Sequence, residues 1–236
     1  MTPPGSGGTA DGPADGSPGR PVPLRYRHVA VEGPIGVGKS TFARLLARAT
    51  GARFVADPDA SNPYLEAFYR DPGSNALHAQ LHFLVSRLET LDNPAVRRPG
   101  QAVVADFMID KDRLFAELTL DETEWRLYAA LASRLTGPAA AAPLPAPDLV
   151  VYLQAPVERL IERIERRGIA HEHRIDSTYL QRLSSSYERF FHDFTACPLL
   201  IVNTERLDPG RRAADLDALV ARVRRMDGGR HFFNPG

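Results

Sequence analysis

Short apolar, β-branched runs alternate with segments of helical periodicity along most of the chain. Runs that predict strands lie at residues 28–32, 53–56, 102–105, 149–153 and 199–202. A helical pattern follows each of these runs, which is typical of βαβ units. The sequence therefore predicts an α/β fold built on a parallel five-stranded sheet with helices on both faces.

One segment has the most regular helical pattern, because its leucines recur at spacings of four and three. These leucines are Leu77, Leu81, Leu84, Leu88 and Leu91. The spacing places them on one face of a helix over about residues 74–91. Similar stripes predict helices over 157–167 and 179–194.

Two stretches are too poor in large apolar side chains to join a core. Residues 1–24 consist mostly of Gly, Pro, Ser, Ala and Asp, which predicts a disordered tail. Residues 137–147 read GPAAAAPLPAP and predict a connecting loop inside one domain. A chain of 236 residues suits one sizeable domain. We therefore expect that domain over 25–227, followed by a C-terminal tail over 228–236.

The charge balance bears on the expected partners. The chain has 29 Lys and Arg residues against 29 Asp and Glu residues, so nothing indicates the basic footprint of a nucleic-acid-binding protein. Lysine occurs only at Lys39 and Lys111, and the other 27 basic residues are arginines. In so arginine-rich a chain, a single arginine is weak evidence for a functional site. Cys197 is the only cysteine, and no apolar run approaches the roughly 20 residues that span a bilayer. We expect a cytoplasmic protein without nucleic-acid or membrane partners.

The strongest local motif is a phosphate-binding loop. Residues 33–40 read GPIGVGKS and fit G-x-x-x-x-G-K-[ST], between the strand HVAVE and the helical segment TFARLLARAT. Glycines let backbone N–H groups face a phosphate, Lys39 reaches the β- and γ-phosphates, and the Ser40 hydroxyl binds magnesium. A glycine-rich turn that only links strand to helix is disfavoured, because motif, strand and helix coincide. The predicted ATP-binding residues are Gly33, Gly36, Val37, Gly38, Lys39, Ser40 and Thr41.

Two acidic residues at strand ends indicate a kinase. No D-x-x-G after a later strand and no N-K-x-D accompany the loop, which disfavours a guanine-nucleotide switch. Asp57 and Asp106 follow predicted strands, whose carboxyl ends open onto the ligand crevice of an α/β sheet. One carboxylate can accept a hydroxyl proton, and the other can hold magnesium. The alternative is that Asp57 starts a turn and Asp106 caps a helix, and from spacing alone the two interpretations are about even for Asp57.

Several segments resemble the deoxynucleoside kinase family in the same order. They are EGPIGVGKST, NPYLEAFYRDP, QLHFLVSR, KDRLFAELTLDETEWRLY, RRG and a downstream YL. The resemblance covers about residues 29–204 and is greatest to the bacterial branch that includes deoxyadenosine and deoxyguanosine kinases. It implies a P-loop NTPase fold with an arginine-bearing lid, ATP-dependent phosphorylation of a deoxynucleoside 5′-hydroxyl, and a homodimer.

The resemblance also implies roles at the reacting centre. Asp57 matches the general base, although the family usually has the longer Glu there. Asp106 matches the acid that serves the metal. Phe107 stands where the family has an arginine that holds the 5′-oxygen and the transferring phosphoryl group. Lys111, Asp112 or Arg113, about one helical turn later, are candidates to replace part of that role.

Substrate contacts are implied in the same way. Gln80 matches a base-binding glutamine, and Arg87 matches its polar partner about 10 Å further along one helix face. Tyr69 matches the contact to the sugar 3′-hydroxyl, and Glu172 matches its acidic partner in the lid. Asp112 matches a position that contacts the base in some members. Without the resemblance, a solvated helix stripe, a core tyrosine and a surface charge account for Gln80, Tyr69 and Glu172.

The predicted lid is rich in arginine. Arg163, Arg166 and Arg167 share one helix face before Gly168, and such arginines stabilise the charge of phosphoryl transfer. Alone they indicate a solvated basic face, but the resemblance assigns Arg163 and Arg167 to the lid. The leading hypothesis is a deoxynucleoside 5′-kinase acting on purine deoxynucleosides. The alternatives are a nucleoside monophosphate kinase and a catalytically impaired kinase-like subunit.

Overall fold

The computed structural model describes residues 23–94, 96, 98–137 and 146–235. Nearly all of the predicted tail over 1–24 and most of the predicted loop over 137–147 lie outside these ranges. The described residues form six strands, which are β1 (His28–Glu32), β2 (Arg53–Val55), β3 (Val103–Ala105), β4 (Leu149–Gln154), β5 (Leu199–Asn203) and β6 (Arg230–Phe233). They also form eight α-helices, which are α1 (Lys39–Thr50), α2 (Leu65–Arg70), α3 (Pro72–Asp92), α4 (Lys111–Thr119), α5 (Glu122–Thr136), α6 (Val157–Arg167), α7 (Ser177–Asp193) and α8 (Ala213–Arg224).

The strands form one parallel sheet in the order β2-β3-β1-β4-β5-β6. The prediction of a parallel sheet is confirmed, but the predicted number of five strands is wrong. The sixth strand, β6, lies within the segment that the sequence assigned to a C-terminal tail, and it pairs with β5. This strand, RHFF, has only four residues and is only partly buried, with Phe232 60% exposed. An edge strand of this kind has too weak an apolar pattern to be found in the sequence.

Both faces of the sheet are covered by helices, as the apolar strands require. In β4, Val151 and Leu153 point to a core shared with α1, α6 and α8, while Val150 and Tyr152 point to a core shared with α4 and α7. This alternation follows from the two-residue period of a strand. The sheet is therefore the middle layer of a three-layer α/β structure.

The predicted helices agree with the structure to within two residues at each end. Helix α6 spans the predicted 157–167, whereas α3 and α7 begin two residues earlier than predicted. Helix α5 begins after a capping box, in which Asp121 accepts from the Glu124 backbone N–H and Glu124 accepts from the Asp121 backbone N–H. Among the described residues, no helix is both long enough and apolar enough to cross a membrane.

The strand order brings three functional segments together. Strands β2, β3 and β1 are neighbours, so the residues after their carboxyl ends share one edge of the sheet. Asp57 follows β2, Asp106 follows β3, and the glycine-rich loop follows β1. The Asp57 backbone N–H donates to Asp106 Oδ1 at 2.5 Å, which joins the first two segments directly.

Candidate active site

The glycine-rich loop lies between β1 and α1, in the predicted context. Gly33 and Gly36 have φ angles of 146° and 83°, where side chains other than hydrogen are strained. A Cβ on Gly33 would lie 2.2 Å from the Leu153 carbonyl oxygen, and one on Gly36 would lie 2.7 Å from that of Leu160. The loop therefore needs glycine both for its curl and for its close packing against β4 and α6.

Lys39 lies across this loop at the start of α1. Its Nζ donates to the Gly33 carbonyl at 2.8 Å and to the Pro34 carbonyl at 3.0 Å. Burial and the neighbouring charge of Lys111 lower the pKa of Lys39 to about 8. A bound anion favours the charged form of such a lysine.

Glu32, the last residue of β1, stabilises the start of the loop through hydrogen bonds and was missed by sequence reasoning. Its Oε1 accepts from the Met108 backbone N–H at 2.8 Å. Its Oε2 accepts from the Gly33 backbone N–H at 3.2 Å and from the Tyr187 hydroxyl at 3.0 Å. Burial raises the pKa of Glu32. A charged residue that ends an apolar strand just before the loop was the available signal.

Asp57 accepts hydrogen bonds from two buried cations. Arg87 donates through Nε at 2.9 Å and through Nη2 at 3.0 Å, and Lys111 Nζ contacts Oδ2. Burial alone would raise the pKa of Asp57, but Arg87 and Lys111 more than offset it and hold that pKa well below its usual range. Asp57 is therefore held as an ionised carboxylate, in a fixed orientation, before a substrate binds.

Arg87 is held between two carboxylates. Its side chain is 4% exposed, and its Nη1 pairs with Asp112 while its other face binds Asp57. Asp112 lies behind Arg87 and does not line the cavity that Arg87 borders. Asp112 can therefore act on a base through Arg87, and its direct contact with a base stays a prediction.

Two cavities open at this edge of the sheet. The first, about 380 Å³, is lined by the loop residues Gly36, Val37, Gly38, Lys39, Ser40 and Thr41, by α6 arginines and by the segment after β5. The second, about 440 Å³, contains the predicted Asp57, Tyr69, Gln80, Arg87, Asp106 and Glu172. We call the first, which contains the phosphate-binding loop, the donor cavity, and the second, which contains Asp57, the acceptor cavity. Four residues line both of them, which are Gly36, Lys39, Ser40 and Arg167.

The far wall of the acceptor cavity offers unpaired polar groups. Gln80 is 2% exposed, its Nε2 donates to Thr119 Oγ1 at 3.3 Å, and its Oε1 has no partner among the described residues. The Tyr179 hydroxyl is also buried without a partner in that part of the chain. Sequence reasoning found Gln80 but missed Tyr179, since a tyrosine near the start of a helix carries no distinctive pattern. Phe83 and Phe115 supply apolar walls.

The lid joins the two cavities. Helix α6 ends at Arg167, Gly168 turns the chain with a φ of 70°, and the 3₁₀ turn Ala170–Arg174 carries Glu172. Arg167 Nη2 pairs with Glu172 Oε2, which links the donor side to the acceptor side. The two predicted lid residues thus meet each other beside Lys39.

Arg163 has a different environment from Arg167. Its guanidinium donates to the carbonyl oxygens of Val37 at 3.1 Å, Thr204 at 2.6 Å and Leu207 at 3.2 Å, and to the Thr204 hydroxyl at 3.0 Å. Arg163 lines the donor cavity, but its guanidinium N–H groups bind the loop and the segment after β5 to each other. It therefore fixes the position of the phosphate-binding loop.

The packing shows what stands in place of the family arginine at position 107 and which nearby residue carries a charge instead. Phe107 is fully buried in an apolar cluster with Val55, Val103 and other side chains below the sheet edge. Of the candidates one helical turn later, Arg113 lies on the exposed face of α4 and pairs with Glu117 at 2.7 Å. Lys111 is the candidate whose charge reaches Asp57.

The predicted magnesium ligands fit the ion. Ser40 and Asp106 both line the acceptor cavity and supply a hydroxyl and a carboxylate oxygen. The described residues contain no group of three or more acidic, His or Cys side chains that could hold a metal alone. Magnesium usually binds through one or two carboxylates together with substrate phosphates and water. These donors therefore suit a magnesium ion that arrives with a nucleotide.

Comparison with known proteins places this geometry in a family. The model of the family described as deoxynucleoside kinase matches residues 29–226. The deoxyguanosine kinase of Bacillus subtilis is 35% identical over 162 residues, which cover 68% of this chain and 76% of that protein. The deoxyadenosine/deoxycytidine kinase of the same organism is 30% identical over 186 residues, covering 76% and 83%.

A solved structure shows the same fold. Deoxyadenosine kinase from M. mycoides with bound dCMP and dCDP superimposes with a TM-score of 0.71 at 23% identity, over 83% of this chain and 98% of that one. The fold is therefore that of a P-loop NTPase, as the sequence predicted. Together with the family match and the loop, cavities and lid described above, this shows that the chain belongs to the deoxynucleoside kinase family, whose members transfer a phosphoryl group to a hydroxyl acceptor.

Proposed function

We propose that this protein is an ATP-dependent deoxynucleoside 5′-kinase that makes deoxynucleoside monophosphates for nucleotide salvage. The observation that carries the proposal is that the donor and acceptor cavities share Lys39, with the carboxylate of Asp57 on the acceptor side. A nucleotide in one cavity and a nucleoside in the other bring their reacting atoms to this shared wall. A purine deoxynucleoside stands in the name of both similar kinases of Bacillus subtilis, and deoxycytidine stands in the name of one, which supports a purine deoxynucleoside as the first acceptor to test.

The donor cavity holds the triphosphate. Backbone N–H groups of the loop and the N-terminus of α1 face the phosphates, and Lys39 neutralises charge on the β- and γ-phosphates. Ser40 and Asp106 would hold a magnesium ion, which would neutralise further charge on the phosphates when bound. Arg167 stabilises the equatorial oxygens of the transferred group from the lid side.

Asp57 orients the acceptor hydroxyl. Its low pKa makes it a weak base. Asp57 therefore does not remove the proton from the free hydroxyl but accepts it while the new oxygen–phosphorus bond forms. Phosphoryl transfer depends mainly on positioning and charge stabilisation, which is compatible with a weak base held in a fixed place. Arg87 supplies that fixed place through its two hydrogen bonds to the carboxylate.

The rest of the acceptor cavity binds the nucleoside. Tyr69 and Glu172 hold the 3′-hydroxyl, and Gln80 recognises the base edge, with Arg87 and Asp112 supporting that wall. The free Oε1 and the second N–H of Gln80 offer one acceptor and one donor, which is the pair that an amide uses to bind adenine. Cytosine presents the same donor and acceptor pair at N4 and N3, so Gln80 fits an amino-bearing base, and the proposed preference for purines rests on the names of the similar kinases.

The two alternatives have less support. A nucleoside monophosphate would bring its phosphate against the ionised Asp57, and Arg87, the cation that binds both oxygens of that carboxylate, is already paired with it. An impaired subunit was suggested by Phe107 and the short Asp57. Lys111 supplies a cation and Arg87 fixes the short carboxylate, so neither feature requires loss of catalysis.

We also infer a homodimer in a reducing cytoplasm. Leu127, Leu131 and Leu135 form an exposed apolar stripe on α5 and are 51%, 38% and 44% exposed, and Val85 on the neighbouring α3 is 45% exposed. A second copy of this face would bury the stripe. The single cysteine leaves no intramolecular disulfide to stabilise an exported protein.

The kinase activity can be measured directly. Purified protein with Mg-ATP and a panel of deoxynucleosides and their monophosphates should phosphorylate deoxyguanosine or deoxyadenosine with the highest kcat/KM. Lys39→Ala should abolish product, because it removes the phosphate-binding ammonium. Absence of product from every acceptor would refute the kinase proposal, and turnover of monophosphates alone would favour the first alternative.

Replacing Asp57 by Asn should separate transfer from nucleotide binding. We expect kcat to fall by about 100-fold to 10,000-fold, because the amide cannot accept the proton, while the Mg-ATP Kd changes little. Asp193→Asn, at an exposed carboxylate, is the matched control. Unchanged turnover in Asp57→Asn would show that another group is the base.

The dimer proposal predicts the behaviour of one leucine. Leu131→Glu places a charge in the centre of the stripe and should convert the dimer to a monomer in light scattering after size-exclusion chromatography. Phe232→Glu changes an exposed apolar side chain on β6 and should leave the dimer intact. A wild-type monomer, or a Leu131→Glu dimer, would contradict this interface.

A further inference from the structure

The use of lysine in this chain is confined to one place. Of 29 Lys and Arg residues only two are lysines, and both line the acceptor cavity. Arginine serves everywhere else, including at Arg87 and Arg167 in the same cavity. One of the lysines, Lys39, has a role that needs a compact ammonium in the phosphate-binding loop. The position of the other suggests that an ammonium is needed there too.

Lys111 is built into the reacting centre. It is the first residue of α4, is 4% exposed, and its Nζ contacts Asp57 Oδ2. It is close enough to Lys39 that its charge is the second cause of the lowered pKa of that residue. The two ammonium groups repel one another, and the carboxylate of Glu32 interacts with both of them. Both lysines also line the acceptor cavity, so their charges lie where a transferred phosphoryl group would arrive.

Asp57 does not need Lys111 as its only counter-ion. Arg87 already binds both Asp57 oxygens and is itself fixed by Asp112. Lys111 contacts one oxygen only, and a lysine has a flexible stem and three donors that can be redirected, unlike the planar fork of arginine. Lys111 is therefore the partner that can leave Asp57 Oδ2 while Arg87 keeps the carboxylate in place.

We propose that Lys111 is a second catalytic lysine, which passes from Asp57 to the acceptor 5′-oxygen and the phosphoryl group during transfer. The 5′-hydroxyl of the deoxynucleoside takes the place of the ammonium at Asp57 Oδ2. A bond forms between the 5′-oxygen and the γ-phosphorus, the bond from that phosphorus to the β,γ-bridging oxygen breaks, and the hydroxyl proton goes to Asp57. Lys111 keeps its proton and stabilises the charge on the transferred group. The inference rests on the proposed kinase function.

The sequence context explains why the cation comes from this position. Phe107, two residues after the end of β3, turns into the apolar cluster and cannot supply a charge. Lys111 lies one helical turn later, where α4 begins beside the cavity. Arg113 is on the same helix but points to solvent, with its side chain 72% exposed. It is a matched control for a cation that is close in sequence and outside the cavity.

The test compares Lys111→Met, Lys111→Arg and Arg113→Met in the full-length protein. Three quantities are measured for each variant, which are kcat, the Kd values of Mg-ATP and deoxyguanosine, and the Kd of deoxyguanosine in the presence of Mg-ADP and aluminium fluoride. That last mixture mimics the planar phosphoryl group in transfer. Lys111→Met should lower kcat by about 100-fold to 1000-fold, the loss typical of removing one charge-stabilising donor.

The same variant should weaken the aluminium fluoride complex by at least tenfold and leave the two substrate Kd values within about threefold. Lys111→Arg should recover part of kcat, and Arg113→Met should match the wild type. A kcat within fivefold of wild type in Lys111→Met would overturn the proposal. So would a loss of kcat accompanied by equal weakening of both substrates or by a lowered Tm, because that pattern shows a structural counter-ion.

The wild-type protein separates this inference from the function on which it rests. If the wild type turns over and Lys111→Met has the same activity, only the role of Lys111 is rejected and the kinase proposal stands. No turnover by the wild type with any deoxynucleoside rejects the kinase proposal, and the Lys111 proposal with it.

Discussion

The ionised carboxylate of Asp57, held by Arg87 and Lys111, is the interaction on which the site depends. A buried charge is costly unless it is paired and hydrogen-bonded. Asp57 meets this condition through three donors, and Arg87 meets it through its two hydrogen bonds to Asp57 and also forms an ion pair with Asp112. The charges form one chain, so the position of each side chain depends on the others. The packing of α3 and α4 against the sheet edge is therefore coupled to the geometry of the reacting centre.

A second buried acid has the corresponding role on the donor side. Glu32 accepts from the start of the loop, from the backbone after β3 and from Tyr187 on α7. Arg163 adds a further tie from α6 through the Val37 carbonyl. The phosphate-binding loop is thus held by side chains from both faces of the sheet. Such support is what keeps backbone N–H groups in place before a phosphate arrives.

Much of this was predictable from the sequence, because it rests on local patterns. Strand β1, the loop and α1 follow from an apolar run, a spaced glycine motif and a helical stripe, and the leucine repeat located α3. Other features were not predictable, because they depend on contacts between distant segments. The pairing of Arg87 with both Asp57 and Asp112 joins residues from three separate segments. The edge strand β6 has only a weak apolar pattern of its own, and it is identified by its pairing with β5.

In the proposed mechanism the acceptor hydroxyl meets Asp57 at the wall shared by the two cavities. A crystal structure with a deoxynucleoside and a non-hydrolysable ATP analogue would show this contact. We expect the 5′-oxygen within hydrogen-bond distance, about 2.6–3.2 Å, of an Asp57 carboxylate oxygen and facing the γ-phosphate beside Lys39. A 5′-oxygen that points away from Asp57, with Arg87 and Lys111 still filling that carboxylate, would contradict it.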